Sequence, residues 1–231
     1  MGLEKLTDRI YYYPHQPEFD RPMLAYVKGS KFSLAVDAGY SEKHVSDFYV
    51  LLKQEELEKP DFTVITHWHY DHTFGMHHIH GTSIAHCKTN YFLAEQQTNA
   101  ANPNYMDILK DEDICFSREY DNISSLKIVF SDIEFQNEIK INLGDLTAII
   151  FHTESPHSED TVCVYIPEER VLFLGDSTSE DFFNNSYMDK EKLKKLVSLI
   201  EDSDCVYCVL SHAEPMNKEE LLEYLYSVLR D

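Results

Sequence analysis

"THWHYDHTFGMHHIHG", Thr66 to Gly81, places six of the chain's 12 histidines within fourteen positions, from His67 to His80. Just ahead of it stands "DFTVI", an apolar, β-prone run that reads as a buried strand. A strand that ends in His-Trp-His-Tyr-Asp-His carries a physical consequence. On an extended backbone two residues two apart project to the same side, so His67 and His69 can grip one ion as a pair. Asp71 and His72 follow where the chain has turned, and they face a second ion beside the first. Burying four such groups without partners would be costly, because each polar atom gives up its water. A single histidine here reads as a satisfied polar core residue, whereas four ligand-type residues at this spacing read as a metal site.

A site with two ions needs more ligands than one motif supplies. His157 lies in the polar turn of "TESPHSEDTV", Asp176 closes the apolar run "RVLFLGD", and His212 follows "VYCVLS". Taken alone, a terminal Asp is a turn or helix cap. Several apolar strands that each end in a ligand-type residue are what a metal centre at one edge of a sheet sandwich requires. The later histidines of the opening stretch, His77, His78 and His80, are expected to stand apart. "DHTFGMHHIHG" predicts a helix that starts near Asp71 and stops at Gly81. Successive helical residues rotate by about 100°, so these three lie beyond the turn that faces the ions, with His80 capping polar groups near Gly81.

Working outward, "RIYYYP", "MLAYVKG" and "SLAVDAG" read as strands, and Ser41 opens a helix through "EKHVSDFYVLLKQEELEK", whose apolar residues recur at helical spacing. After the strand "TSIAHC" comes a polar stretch from about Thr89 to Ser125 of mixed helical and irregular character, with few core signals. A segment of that length between strands reads as a lid or a substrate-recognition element. Strands resume at "LKIVF", "NEIKINL", "LTAIIFH", "TVCVYIP" and "RVLFLGD", with "PEER" as a hairpin turn between the last two. A helix, "KEKLKKLVSLIED", the strand "CVYCVLSH" and a last helix, "NKEELLEYLYSVLR", close the chain. Strands and helices in both halves predict packed sheets with helices outside, in one domain over 1–231.

Composition bounds the function. Hydrophobic residues make up 43% of the 231-residue chain and aromatics 13%, enough for a packed globule. The formal charge of −21 repels a phosphate backbone and an anionic membrane, so neither a long nucleic acid nor a lipid surface is an expected partner. No apolar run is long enough to span a bilayer. The first residues lack the apolar stretch of a secretory signal, and Leu6 stands where a myristoylation motif at Gly2 needs Ser or Thr, so the expected location is cytoplasmic. Five cysteines, an odd number, suit a reducing compartment. Cys205 and Cys208 form a C-x-x-C in a strand-like run, where positions three apart point to opposite faces, so they read as two core thiols.

The H-x-H-x-D-H motif at His67 to His72, followed in order by His157, Asp176 and His212 with "AVDAG" ahead of it, resembles the metallo-β-lactamase superfamily over nearly the whole chain. The resemblance implies a four-layer αββα sandwich. It also implies that His67, His69 and His157 hold one ion, that Asp71, His72 and His212 hold the other, and that Asp176 bridges them, with Asp37 orienting ligands through hydrogen bonds. Pro156, Ser211 and Ala213 depart from the residues usual beside the ligands. Asp176 also separates the chain from the lactamase branch with Cys at that position, so antibiotic hydrolysis is not the favoured activity.

The implied chemistry is hydrolysis. Two divalent ions, offset by Asp71, Asp176 and a bridging hydroxide, leave the site with a formal charge of about +1, able to acidify water and polarise a substrate oxygen. Nitrogen and oxygen ligands fit zinc best, with iron or manganese as alternatives. Asp71 is the expected catalytic residue, steering the nucleophile and passing a proton to the leaving group. The expected substrate is a small acyl compound such as an ester, thioester, lactone or amide. A phosphodiesterase acting on a small phosphate ester is the rival within the family, and a non-catalytic metal-binding or sensor module is the rival outside it.

Overall fold

The apolar runs of the N-terminal half pair side by side in chain order. In the computed structural model, which describes residues 2–123 and 125–230, β1 (Glu4–Lys5), β2 (Ile10–Tyr13), β3 (Leu24–Lys28) and β4 (Ser33–Val36) form an antiparallel meander. Then β5 (Phe62–Val64), β6 (Thr82–His86) and β7 (Ile133–Phe135) continue the same sheet as parallel strands. The second half repeats the scheme. An antiparallel run of β8 (Glu138–Asn142), β9 (Thr147–His152), β10 (Val162–Ile166) and β11 (Val171–Gly175) is followed by β12 (Tyr207–Leu210), parallel to β11, and the short edge strand β13 (Met216–Asn217).

Period-two side-chain alternation decides the layering. Val162, Val164 and Ile166 of β10, with Val171 and Phe173 of β11, face inward and meet Ala25, Val27, Val36, Val64 and Ile84 of the first sheet. Between them, Cys163, Leu172 and Leu174 face outward and are covered by Leu193, Leu196 and Ile200 of α6 (Lys190–Asp202) and by Leu221 and Leu225 of α7 (Lys218–Arg230). On the other side Val45, Phe48 and Leu52 of α1 (Glu42–Gln54) pack on Leu24, Tyr26 and Ala35. Strands buried on both faces read as continuous apolar runs, which is why they were visible in sequence. The result is the expected αββα sandwich. Leu196 is fully buried, so its truncation to Ala would cost about 2–5 kcal/mol.

Four local expectations need correction. The helix predicted over 71–81 is a single turn, α2 (Tyr70–Thr73), followed by a 3-10 turn at Met76–His78. The helix stops where the Gly75 N–H leaves it for the Gly39 carbonyl oxygen at 3.0 Å, and a Cβ on Gly75 would lie 2.0 Å from the Ala38 carbonyl oxygen, so the chain uses the missing side chain for a close backbone approach. "LKIVF" is not a strand. Ile128 and Val129 pack against a cluster under α3 (Cys87–Ala100), whose Gln97 donates to the Ile128 carbonyl, and β7 takes the place beside β6.

Cys205 precedes β12 instead of lying in it, and the bend brings its Sγ to 3.7 Å from that of Cys208, on the same side. Both are buried free thiols, as expected. The polar stretch, helical in part as expected, forms α3, α4 (Tyr105–Glu112) and α5 (Ile114–Glu119), but it is not poor in core residues. It buries Leu93, Met106, Phe116 and Tyr120. Ser124, inside that stretch, lies outside the described residues.

Candidate metal centre

Every sequence-predicted site residue sits just past the end of a strand or at a turn on one edge of the sandwich, and the structure brings them together. Asp37 follows β4, His67 and His69 follow β5, His157 lies in the β9–β10 turn, Asp176 follows β11 and His212 follows β12. α2, one turn long, carries Asp71 and His72.

His67, His69 and His157 form one group and Asp71, His72, Asp176 and His212 a second, each with its ligand atoms within 4.8 Å of one another. In the first group His157 Nε2 lies 3.2 Å from His67 Nε2 and 3.1 Å from His69 Nδ1. In the second, Asp71 Oδ2 stands 3.1 Å from His212 Nε2 and 3.2 Å from His72 Nε2. Asp176 touches both groups: its Oδ2 is 3.3 Å from His72 Nε2, 3.3 Å from His212 Nε2 and 3.7 Å from His157 Nε2.

The outer nitrogens explain why the inner ones converge. His67 Nδ1 donates to Thr66 Oγ1 at 3.0 Å, and that hydroxyl donates in turn to Asp37 at 2.9 Å. His157 Nδ1 donates to the Glu180 carbonyl oxygen at 2.8 Å, and His72 Nδ1 donates to Asp37 Oδ2 at 2.8 Å. His212 Nδ1 donates to Asp20 Oδ1 at 3.1 Å. A ring that gives its proton outward presents a lone pair inward. Three imidazole nitrogens pointed at one another in a dry site are satisfied by a cation. His72 Nε2, buried without a hydrogen-bond partner, marks the same need in the second group. Residues and geometry therefore fit metal ions in both groups.

Electrostatics differ between the groups. Burial, reinforced by neighbouring imidazoles, holds His67 well below the usual histidine range and takes His69 down to about 3. Burial opposes charge on His72 too, but Asp71, Asp37 and Asp176 around it raise it well above that range. His212 is raised likewise by Asp176, Asp20 and Asp71 against its burial. Asp71 and Asp176 lie well below the carboxylate range: burial pushes the other way, and His72 and His212 outweigh it.

Asp20 is the residue that sequence reading missed. It sits in the left-handed region (φ 53°) in the loop after β2, beyond the apolar run that would have flagged it. The one signal is "PEFDRP", a turn-rich stretch with a carboxylate. With His15 and His212 it makes a third ligand-type group, which shares His212 with the second. His77, His78 and His80 turn away, bonding to the Phe74 carbonyl, Ser46 Oγ and the Pro60 carbonyl.

Above the two groups opens a cavity of about 630 Å³. Its walls include Tyr40, Tyr70, Phe182 and Phe183, together with Leu109, Glu112 and Asp113 from α4 and the start of α5.

The family model described as the metallo-beta-lactamase superfamily matches residues 25–212, a span that includes all seven candidate ligands and excludes Asp20. The human acyl-coenzyme A thioesterase MBLAC2 is 23% identical over 174 residues, covering 68% of this chain and 58% of that protein. Its Bos taurus counterpart is 22% identical over the same shares. The chain thus spans less than two thirds of the length of these curated relatives. Among solved structures, a metallo-beta-lactamase from Pontibacter korlensis has a TM-score of 0.71 at 16% identity, covering 100% of this chain and 99% of its own. The stereoselective inverting sec-alkylsulfatase Pisa1 from Pseudomonas sp. reaches 0.73 at 12% identity, covering 99% of this chain and 41% of its own. At these identities the likeness is one of fold.

Proposed function

The chain belongs to the metallo-β-lactamase superfamily, and from that premise we propose that it is a metal-dependent hydrolase of a small acyl compound: an ester, thioester, lactone or amide. The observation that carries this reading is the convergence of five imidazoles and two carboxylates, four of the imidazoles pinned at their outer nitrogens so that the inner ones are pre-oriented. In this reading His67, His69 and His157 hold one divalent ion, Asp71, His72 and His212 hold the other, and Asp176 is shared. Zinc is the ion the donor set suits best. When bound, the ions supply an acidified water and an electrophile for the substrate oxygen.

The protein's own groups do the rest. Asp37 fixes His72 directly and His67 through Thr66, so one buried carboxylate orients ligands in both groups. Asp71 lines the cavity and is the group within reach of a leaving atom, able to take and deliver a proton there. Phe182 and Phe183 pack at 5.7 Å and 4.8 Å from His157 and His69, excluding water from the three-histidine side. α4 and α5 supply the opposite wall, and we read the 89–125 segment as the substrate-recognition element of one domain. The relatives' thioesterase name is compatible with an acyl substrate. A phosphate ester is disfavoured, because among the described residues lining the cavity there is no Lys or Arg.

The test is turnover of a generic aryl ester by the zinc-loaded protein. Activity that a chelator abolishes and zinc restores supports the reading. A fully metal-loaded protein that turns over no ester, thioester, lactone or amide refutes it and leaves a binding module.

A further inference from the structure

The walls of the cavity differ in chemistry from side to side. Beside the three-histidine group they are aromatic: Phe183 packs on Trp68 and on His69, each at 4.8 Å between ring centroids, and Phe182 stands beside His157. Beside the second group they are acidic. Asp20 accepts from His212, Glu112 ends α4 exposed at the rim, and Asp113 accepts from the Tyr70 hydroxyl while capping α5.

Among the described residues no Lys or Arg balances these acids. Arg21, next to Asp20, is buried and spent on Glu119 at 2.8 Å and Asp47 at 3.2 Å. Lys110 of α4 reaches the Ile123 carbonyl, and Arg118 of α5 reaches that of Glu18. The floor is the second group itself, whose buried His72 Nε2 is without a hydrogen-bond partner. Three wall carboxylates outweigh even the formal charge of about +1 left by two hydrolytic ions. A field of that sign concentrates cations at the mouth and repels anions.

Resting on the proposed hydrolase reading, we infer that the substrate is an acyl compound bearing an ammonium group, seated with its apolar part against Phe182 and Phe183 and its cation beside Asp20 and Glu112. The scissile carbonyl then lies over the paired groups, between the two walls. Hydrolysis adds water across the carbonyl–heteroatom bond: the acyl carbon gains the hydroxyl, the leaving atom takes the proton, and nothing is oxidised or reduced. Anionic acyl compounds of the same length are the disfavoured class, repelled by the wall and by the chain's charge of −21.

The experiment uses three p-nitrophenyl esters of one chain length, ending in an ammonium, a methyl or a carboxylate, with the zinc-loaded full chain. The expected order of kcat/KM is ammonium, then methyl, then carboxylate, with about tenfold between the charged pair at low salt, shrinking as salt rises. Glu112→Lys should narrow or reverse that order, read as the ratio of the ammonium to the carboxylate ester rate within the variant. Equal rates for the charged esters, a faster carboxylate ester, or an order indifferent to Glu112→Lys overturns the inference. If none of the three is hydrolysed, the hydrolase reading falls separately. The same order is then read from calorimetric binding of the three esters, where tighter binding of the ammonium ester sustains the inference and equal or reversed affinities overturn it.

Discussion

The two ligand groups stand side by side on one sheet edge, yet they are held in opposite ways. His67 and His157 lean on neutral acceptors, the Thr66 hydroxyl and the Glu180 carbonyl. His72 and His212 lean on carboxylates, Asp37 and Asp20. In the first group burial holds His67 and His69 below the usual histidine range. In the second, Asp71, Asp176, Asp37 and Asp20 surround His72 and His212 and raise both above that range. What the difference teaches is that pre-organisation and charge are set by the second partner of each ring, not by the ring.

The sharpest way to break this comparison is at the residue that both groups share. Asp176→Ala should lower ester hydrolysis by about a hundredfold or more and weaken metal binding at the second group more than at the first. The fold should survive, since the side chain sits past a strand end, which circular dichroism would check. Full metal content with unchanged turnover would reduce Asp176 to a turn residue.

Next in size are the carboxylates behind the rings. Asp37→Asn should cost about 10–100-fold in metal affinity and affect both groups, because Asp37 is buried and reaches His72 directly and His67 through Thr66. Asp20→Asn should act on the second group alone and cost less, because Asp20 is exposed and water can take its place. Metal titrations of the two variants decide it, and equal losses would contradict the ranking.

Acidity sharpens the contrast further. For His67 and His69 the folded value lies below the unfolded one of about 6.5, so the unfolded chain binds more protons through that interval. Their contribution to stability is full above about 6.5 and is lost as pH falls toward 3. The chelator-treated protein should therefore melt at progressively lower temperature from pH 6.5 down to 4. His72 and His212 are raised, so a metal entering the second group competes with their protons. Calorimetry of metal binding at neutral pH in buffers of different ionisation enthalpy should show a larger proton release for the second ion than for the first.

The smallest effects belong to the histidines that abundance alone made suspicious. His78→Ala and His80→Ala should keep both ions and the turnover rate and cost no more than about 1 kcal/mol, since each loses one hydrogen bond. His69→Ala, placed beside them, should lose the first ion.

Much of this was legible because the sandwich places its candidate ligands at the ends of apolar runs. Asp176 after "VLFLG" and His212 after "YCVL" stand out against their strands, and Ser41 caps α1 where its side chain was expected to. What failed was local. Helical spacing after Asp71 cannot reveal that the Gly75 N–H bonds the Gly39 carbonyl oxygen at 3.0 Å instead of continuing the helix, or that a Cβ at Gly75 would collide with the Ala38 carbonyl. Leu126 to Phe130 have strand composition but meet a helix side chain instead of a strand partner. Asp20 stayed hidden because a carboxylate in a proline-flanked loop carries no periodicity, and its partner lies 192 positions away.

The central claim is a centre of two ions built from two unlike halves, and elemental analysis of gently purified protein tests it most directly. The account predicts close to two divalent ions per chain, falling to about one when Asp71 and His212 are both replaced by Ala. No bound transition metal, and none taken up on adding zinc or manganese, would contradict it.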